Sequence, residues 1–265
     1  MDLGLKGKVV LVTGASRGIG RAIALAFAAE GCRLALASRT PEALAAVAQE
    51  VEALGAEAHH WVTDITDPEQ IEALVKSAYR EWGRIDILVN NAGGALAKAF
   101  EEVSDEEWEG IVNLNLYSTI RVSRAVLPAM KGQGGGQIIN ISALSGRVPR
   151  VGQIASNAAK AALINFTESL AAEVARHRIR VNAVCPAAVL TTRWQERVAR
   201  YGKEQDLPFE QAMTELAGKS IPLGRFGRPE EVASAVVFLA SERAGFITGV
   251  SIFVDGGMGR SVSIP

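Results

Sequence analysis

The sequence is poor in cysteine and histidine and carries almost no net charge. Cys32 and Cys185 are its two cysteines among 265 residues, and they stand far apart. That excludes a disulfide scaffold and a cysteine zinc site, and it suits the reducing cytoplasm. His59, His60 and His177 form no cluster with other ligand types, so no metal is expected. Lys+Arg 28 against Asp+Glu 29 leaves a net charge of -1, which argues against a nucleic-acid binder with a basic surface. No apolar run approaches the ~20 residues of a membrane span. No basic-then-apolar leader precedes the first strand at Val9, so a cytoplasmic chain is expected.

What is present is alternation. Short apolar runs at 8–13, 33–37, 60–63, 85–89, 137–141, 179–184 and 252–255 read as strands. Helical patterns fill 21–31, 41–54, 68–82, 104–130 and 154–177. The strands are almost uninterruptedly apolar, as strands buried on both faces are. An α/β fold follows: a Rossmann-like doubly wound parallel sheet, as a single domain over 1–265. The polar stretch 190–222 falls after a late strand, where ligands bind in such sheets. It reads as a substrate lid; an ordinary surface helix pair is the alternative.

Thr13-Gly14-Ala15-Ser16-Arg17-Gly18-Ile19-Gly20 lies between the first strand and the first helix. Glycines there permit a tight turn and close approach of a pyrophosphate to a helix N-terminus. The second strand ends Ala37-Ser38-Arg39-Thr40, without the acidic residue that meets a free ribose 2′-OH. Arg39 and Arg17, with Ser38 as a hydroxyl donor, suit a 2′-phosphate instead, so NADP is preferred over NAD.

The glycine pattern, Asn90-Asn91-Ala92-Gly93, Asn115 and Val254-Asp255-Gly256-Gly257 together resemble the short-chain dehydrogenase/reductase family. Ile221-Pro222-Leu223-Gly224-Arg225 and the run from Gly227 to Ala233 resemble its bacterial 3-oxoacyl-(acyl carrier protein) reductase branch. By that resemblance Asp64 and Ile65 flank an adenine, and Asn91, Ala92 and Gly93 line the nucleotide. Pro186 to Thr191 approaches the nicotinamide side. The resemblance also implies a homotetramer, with contacts through 104–130, 153–177 and the last strand.

The resemblance further implies a catalytic Ser, a Tyr and a Lys four residues after it, and a supporting Asn. Lys160 and Asn115 are present. Ser156 stands at the Tyr position and Ala143 at the Ser position, flanked by Ser142 and Ser145. A Tyr hydroxyl starts near pKa 10 and an alkyl hydroxyl several units higher, so Ser156 is a poor acid/base by itself. The expected catalytic set is therefore Asn115, Ser142, Ser156 and Lys160. Tyr201, in the lid, and Tyr117 are alternative hydroxyls. Arg147, Arg150, Arg193 and Gln153 bracket this half and suit an anionic or polar substrate, or else a solvated surface. The expected function is NADP-dependent interconversion of a small-molecule carbonyl and a secondary alcohol. The alternative is a cofactor-binding pseudoenzyme.

Overall fold

The computed structural model describes residues 2–260. Met1 and 261–265, the ends of the expected domain, lie outside the described residues. Seven strands form one parallel sheet in the order β3-β2-β1-β4-β5-β6-β7. They are β1 (Val9–Thr13), β2 (Arg33–Ser38), β3 (Ala58–Val62), β4 (Ile87–Asn90), β5 (Gly136–Ile141), β6 (Ile179–Pro186) and β7 (Ser251–Val254). Nine α-helices accompany them among the described residues: α1 (Gly18–Ala29), α2 (Pro41–Ala53), α3 (Pro68–Trp82), α4 (Asp105–Val112), α5 (Ser118–Gly132), α6 (Ile154–Val174), α7 (Thr192–Gln205), α8 (Phe209–Ser220) and α9 (Pro229–Ala240). The doubly wound, single-domain α/β fold expected from the alternation is the one observed.

Successive strand residues feed opposite faces, as the pleat requires. Val10, Val12, Leu34 and Leu36 pack with Ile23, Phe27, Val47 and Val236 of α1, α2 and α9. Leu11, Ala35, Ala37 and Leu88 pack on the other side with Leu74, Val126 and Val174 of α3, α5 and α6. The strand order reverses between β1 and β4, so the carboxyl ends of these two strands flank the crevice where such sheets bind ligands.

Two segments differ from the reading of the sequence, and a third, 190–222, takes the helix-pair form of its two alternatives. The pattern over 104–130 is two helices, α4 and α5, joined by a π-helical turn at Asn113–Tyr117. Periodicity alone does not reveal one extra residue in a turn. The stretch 190–222 contains the pair α7 and α8 around a small core of Ala188, Val198, Ala212, Ala217, Ile221 and Phe226. Helix α9 begins within the Gly227-to-Ala233 motif, whose helical form the sequence pattern does not mark. Its Pro229 sits in the first turn, and Glu231 accepts a hydrogen bond from the Arg228 N–H at 2.8 Å.

Candidate active site

At the nucleotide end, the main chain shapes the surface. Gly14 (φ 66°) and Gly18 (φ 54°) take left-handed conformations that favour glycine. A Cβ on Gly20 would stand 2.1 Å from the Gly14 carbonyl oxygen and 2.5 Å from Asn91 Nδ2. Asn91 locks the turn, its Nδ2 donating to the Thr13 and Gly14 carbonyls at 3.0 Å each. Thr13 Oγ1 accepts from the N–H groups of Asn91 (3.1 Å) and Ala92 (3.2 Å). Helix α1 begins after Arg17 with no side-chain cap and no acidic residue in its first turn. Its leading N–H groups and positive dipole end thus fit a pyrophosphate. Ser16 and Ile19 lie on the same loop, and Gly18 packs towards Thr191 at the start of α7.

The residues expected around the adenine ribose are less closely joined. Arg39 and Asp64 are partly to largely exposed and 4.0 Å apart. Hydrogen bonds from the Thr66 N–H and hydroxyl hold the Asp64 carboxyl below its usual range, and Arg39 acts in the same direction. Ser38 is buried, with Oγ accepting from the Thr40 N–H at 3.4 Å. Arg17 is exposed, and Ile65 is buried beside Asp64.

At the carboxyl edge of β4, β5 and β6, Asn115 and Lys160 converge. A Cβ on Gly93 would stand 2.9 Å from Asn115 Oδ1 and 3.4 Å from Lys160 Nζ. The π-helical turn presents Asn115: its Nδ2 donates to the Ile111 carbonyl (2.9 Å), and its Oδ1 accepts from the Gly94 N–H (3.2 Å). Lys160 Nζ donates to the Ile141 carbonyl at 2.9 Å. Burial brings its ammonium down from 10.5 to about 8, opposed by Cys185 and reinforced by Arg193. Ser142 Oγ donates to the Lys160 carbonyl at 3.0 Å, closing the seam between β5 and α6. Cys185 is buried beside this cluster, its thiol pushed up to about 11 by burial. Pro186 ends β6 at the same edge and is buried.

Ser156 is engaged elsewhere. Its Oγ accepts from the Leu96 N–H at 2.9 Å and is buried in that contact. Tyr201 donates to Glu215 (2.8 Å) and accepts from Lys219 (2.9 Å) within the α7–α8 pair. Tyr117 is half-exposed, with the Arg121 guanidinium over its ring. Among the described residues, no three His, Cys, Asp or Glu side chains gather as a metal site.

Sequence reasoning gave the Thr13 side chain no role of its own and missed Trp194, Arg197 and Arg200. Trp194, Arg197 and Arg200 line a cleft of about 640 Å³ with Arg150, Gln153 and Lys98. The recurrence of arginine at 193, 197 and 200 is a helix-face spacing that would have drawn attention to two of them.

A seven-stranded parallel sheet with a glycine loop at its reversal point defines a dinucleotide-binding α/β protein. A family profile described as enoyl-(acyl carrier protein) reductase matches residues 14–259. The 3-oxoacyl-(acyl carrier protein) reductase of Thermotoga maritima is 38% identical over 254 residues, spanning 96% of this chain and 98% of the relative. The Escherichia coli enzyme of the same name is 39% identical over 258 residues, 97% and 99% of the two chains. L-sorbose reductase from Gluconobacter frateurii, solved with NADPH and L-sorbose, superposes with a TM-score of 0.95 at 36% identity, covering 99% and 100% of the two chains. A 7α-hydroxysteroid dehydrogenase solved with NADH gives 0.88 at 30% identity, covering 99% of this chain and 98% of the other. The chain belongs to the short-chain dehydrogenase/reductase family, a family of oxidoreductases.

Proposed function

We propose that the protein is an NADP-dependent oxidoreductase interconverting a small-molecule carbonyl and a secondary alcohol, with Lys160 in the acid/base role. The supporting observation is the convergence of Asn115 Oδ1 and Lys160 Nζ beside Gly93, next to the uncapped α1 N-terminus. Gly14, Ser16, Gly18, Ile19 and Gly20 hold the pyrophosphate, and Arg17, Ser38 and Arg39 receive the 2′-phosphate. Asp64 and Ile65 flank the adenine. Asn91, Ala92, Gly93, Lys160 and Pro186 border the nicotinamide nucleoside. A bound nicotinamide supplies or accepts the hydride. With its pKa lowered to about 8, Lys160 holds and moves the proton at the substrate oxygen near neutral pH. Asn115 Oδ1 holds the water that exchanges that proton, Ser142 fixes the Lys160 backbone, and Ser156 orients the Leu96 strip over the site. The chain works in the cytoplasm as a homotetramer, which sedimentation velocity tests: a monomer sinks that part.

The bonding of Ser156 to a backbone amide favours a second reading, a nucleotide-binding protein with little turnover. One cuvette separates the two. NADPH binding tighter than NADH by fluorescence, an advantage lost in Arg39→Gln, with NADPH oxidation on adding ketones, supports the oxidoreductase. Binding without oxidation across the panel supports the second reading. Failure to bind either nucleotide removes both.

A further inference from the structure

The substrate end gathers basic side chains with unequal partners. Lys98 is neutralised, its Nζ donating to both Glu107 oxygens at 3.0 and 2.8 Å. Arg150, Arg197 and Arg200 pair with no carboxylate of the described residues, yet all three line the 640 Å³ cleft. The Arg150 and Arg197 guanidinium carbons lie over the Trp194 ring, 5.5 and 4.9 Å from its centroid. Burial, with Arg197 beside it, pushes the Arg150 guanidinium below its ordinary value. Gathering like charges in a partly desolvated cleft costs free energy, and a bound oxyanion reverses that cost.

The cleft is anchored and adjoins the chemistry. Asn157 Nδ2 donates to the Arg150 carbonyl at 2.8 Å, and the Lys98 N–H donates to the Gly152 carbonyl at 2.9 Å. These bonds fix the 147–153 loop against α6 and the strip after β4. Gln153, on the cleft wall, directly precedes α6, whose first two turns carry Ser156 and Lys160. On α7, Arg193, Arg197 and Arg200 recur at three- and four-residue steps. Arg193 acts on Lys160, while Arg197 reaches Trp194.

Resting on the oxidoreductase reading, we propose that the substrate is a small carbonyl or alcohol compound bearing a carboxylate, phosphate or sulfonate away from its reacting carbon. Arg150 and Arg197 hold that oxyanion in the cleft, through the forked N–H geometry that guanidinium groups offer to planar or tetrahedral oxyanions.

Calorimetric titration of the full chain with inorganic phosphate and with citrate, at constant ionic strength, tests this. Saturable binding is expected, weakened about tenfold or more by Arg150→Gln and by Arg197→Gln. Lys76→Gln, at an exposed position of α3, leaves it unchanged. If Arg150→Gln impairs folding, Arg197→Gln on the surface of α7 carries the test alone. No saturable binding of either anion overturns the proposal. Binding that Arg39→Gln removes and Arg197→Gln spares belongs to the 2′-phosphate position after β2 and also overturns it. Binding of polyglutamate but of neither small anion assigns the face to an acidic protein and overturns it too. An NADPH titration on the same samples distinguishes the two readings. Phosphate held at Arg197 without NADPH binding sinks the oxidoreductase reading and keeps the anion site.

Discussion

Gly20 and Gly152 stand at opposite ends of the site, and an added methyl group would meet opposite surroundings. At Gly20 the Cβ would press on the Gly14 carbonyl and the Asn91 amide. At Gly152 (φ 72°) nothing lies within 4 Å. At the nucleotide end the main chain turns so tightly at Gly14 and Gly20 that no Cβ fits there. At the substrate end the loop carrying Gly152 is open, and the cleft beside it is walled by side chains such as Arg150, Trp194 and Arg197. The first kind of site tolerates little change; the second is free to vary its chemistry on a fixed frame.

The strongest way to break this contrast is Gly20→Ala. It is expected to cost more than about 3 kcal/mol in urea unfolding, because overpacking here meets backbone, and to abolish NADPH binding. A variant that binds NADPH normally would show the loop to be pliable.

Next comes Lys160→Met, expected to lower kcat about 100-fold or more, with Ser156→Ala losing less than about tenfold. The reverse ranking in steady-state assays would return the acid/base role to Ser156. The same lysine leaves a signature in stability. Its folded pKa, about 8, lies below the ordinary 10.5. Between those values the unfolded chain binds the extra proton, so stability rises with pH across that window. Lys160→Met should flatten the rise, as followed by urea unfolding at pH 7 to 10.5.

Gly152→Ala should cost only about 1 kcal/mol, the strain of a left-handed alanine. A cost equal to that of Gly20→Ala would erase the contrast. The smallest effect is expected from Tyr201→Phe, which removes hydrogen bonds inside the α7–α8 pair. It should lower stability by about 1 kcal/mol or less and leave kcat unchanged. Lost turnover would bring Tyr201 into the chemistry.

The same division governs what the sequence could disclose. The sheet was legible because strands such as Val9–Thr13 are apolar throughout, and only burial on both faces demands that. The glycine loop was legible because its residue types answer to local backbone geometry. The Ser156 contact was not, because its partner is the amide of Leu96, sixty residues away, and an amide carries no residue identity. The buried relay from Asn90 to Asn140 (2.9 Å) and from Asn140 to Thr167 (2.9 Å) was hidden for the same reason. It joins β4, β5 and α6, and only the register brings its members together. Arg197 and Arg200 are harder to read because the polar stretch 190–222 fits a lid as well as a helix pair, and their helix-face spacing has meaning only once α7 forms.

The π-helical turn that presents Asn115 also acts as a phase shift. An α-helix turns by about 100° per residue, so one extra residue offsets everything after it by that angle. Ser118, Val122, Val126 and Met130 of α5 are buried in the phase that follows this offset, whereas α4 before it buries none of its residues. Deleting a single residue within Asn113–Tyr117 would give a more regular helix and rotate this stripe off the sheet. The irregularity is the gear that lets one continuous rod serve two clients, an active-site amide at one end and a buried face at the other.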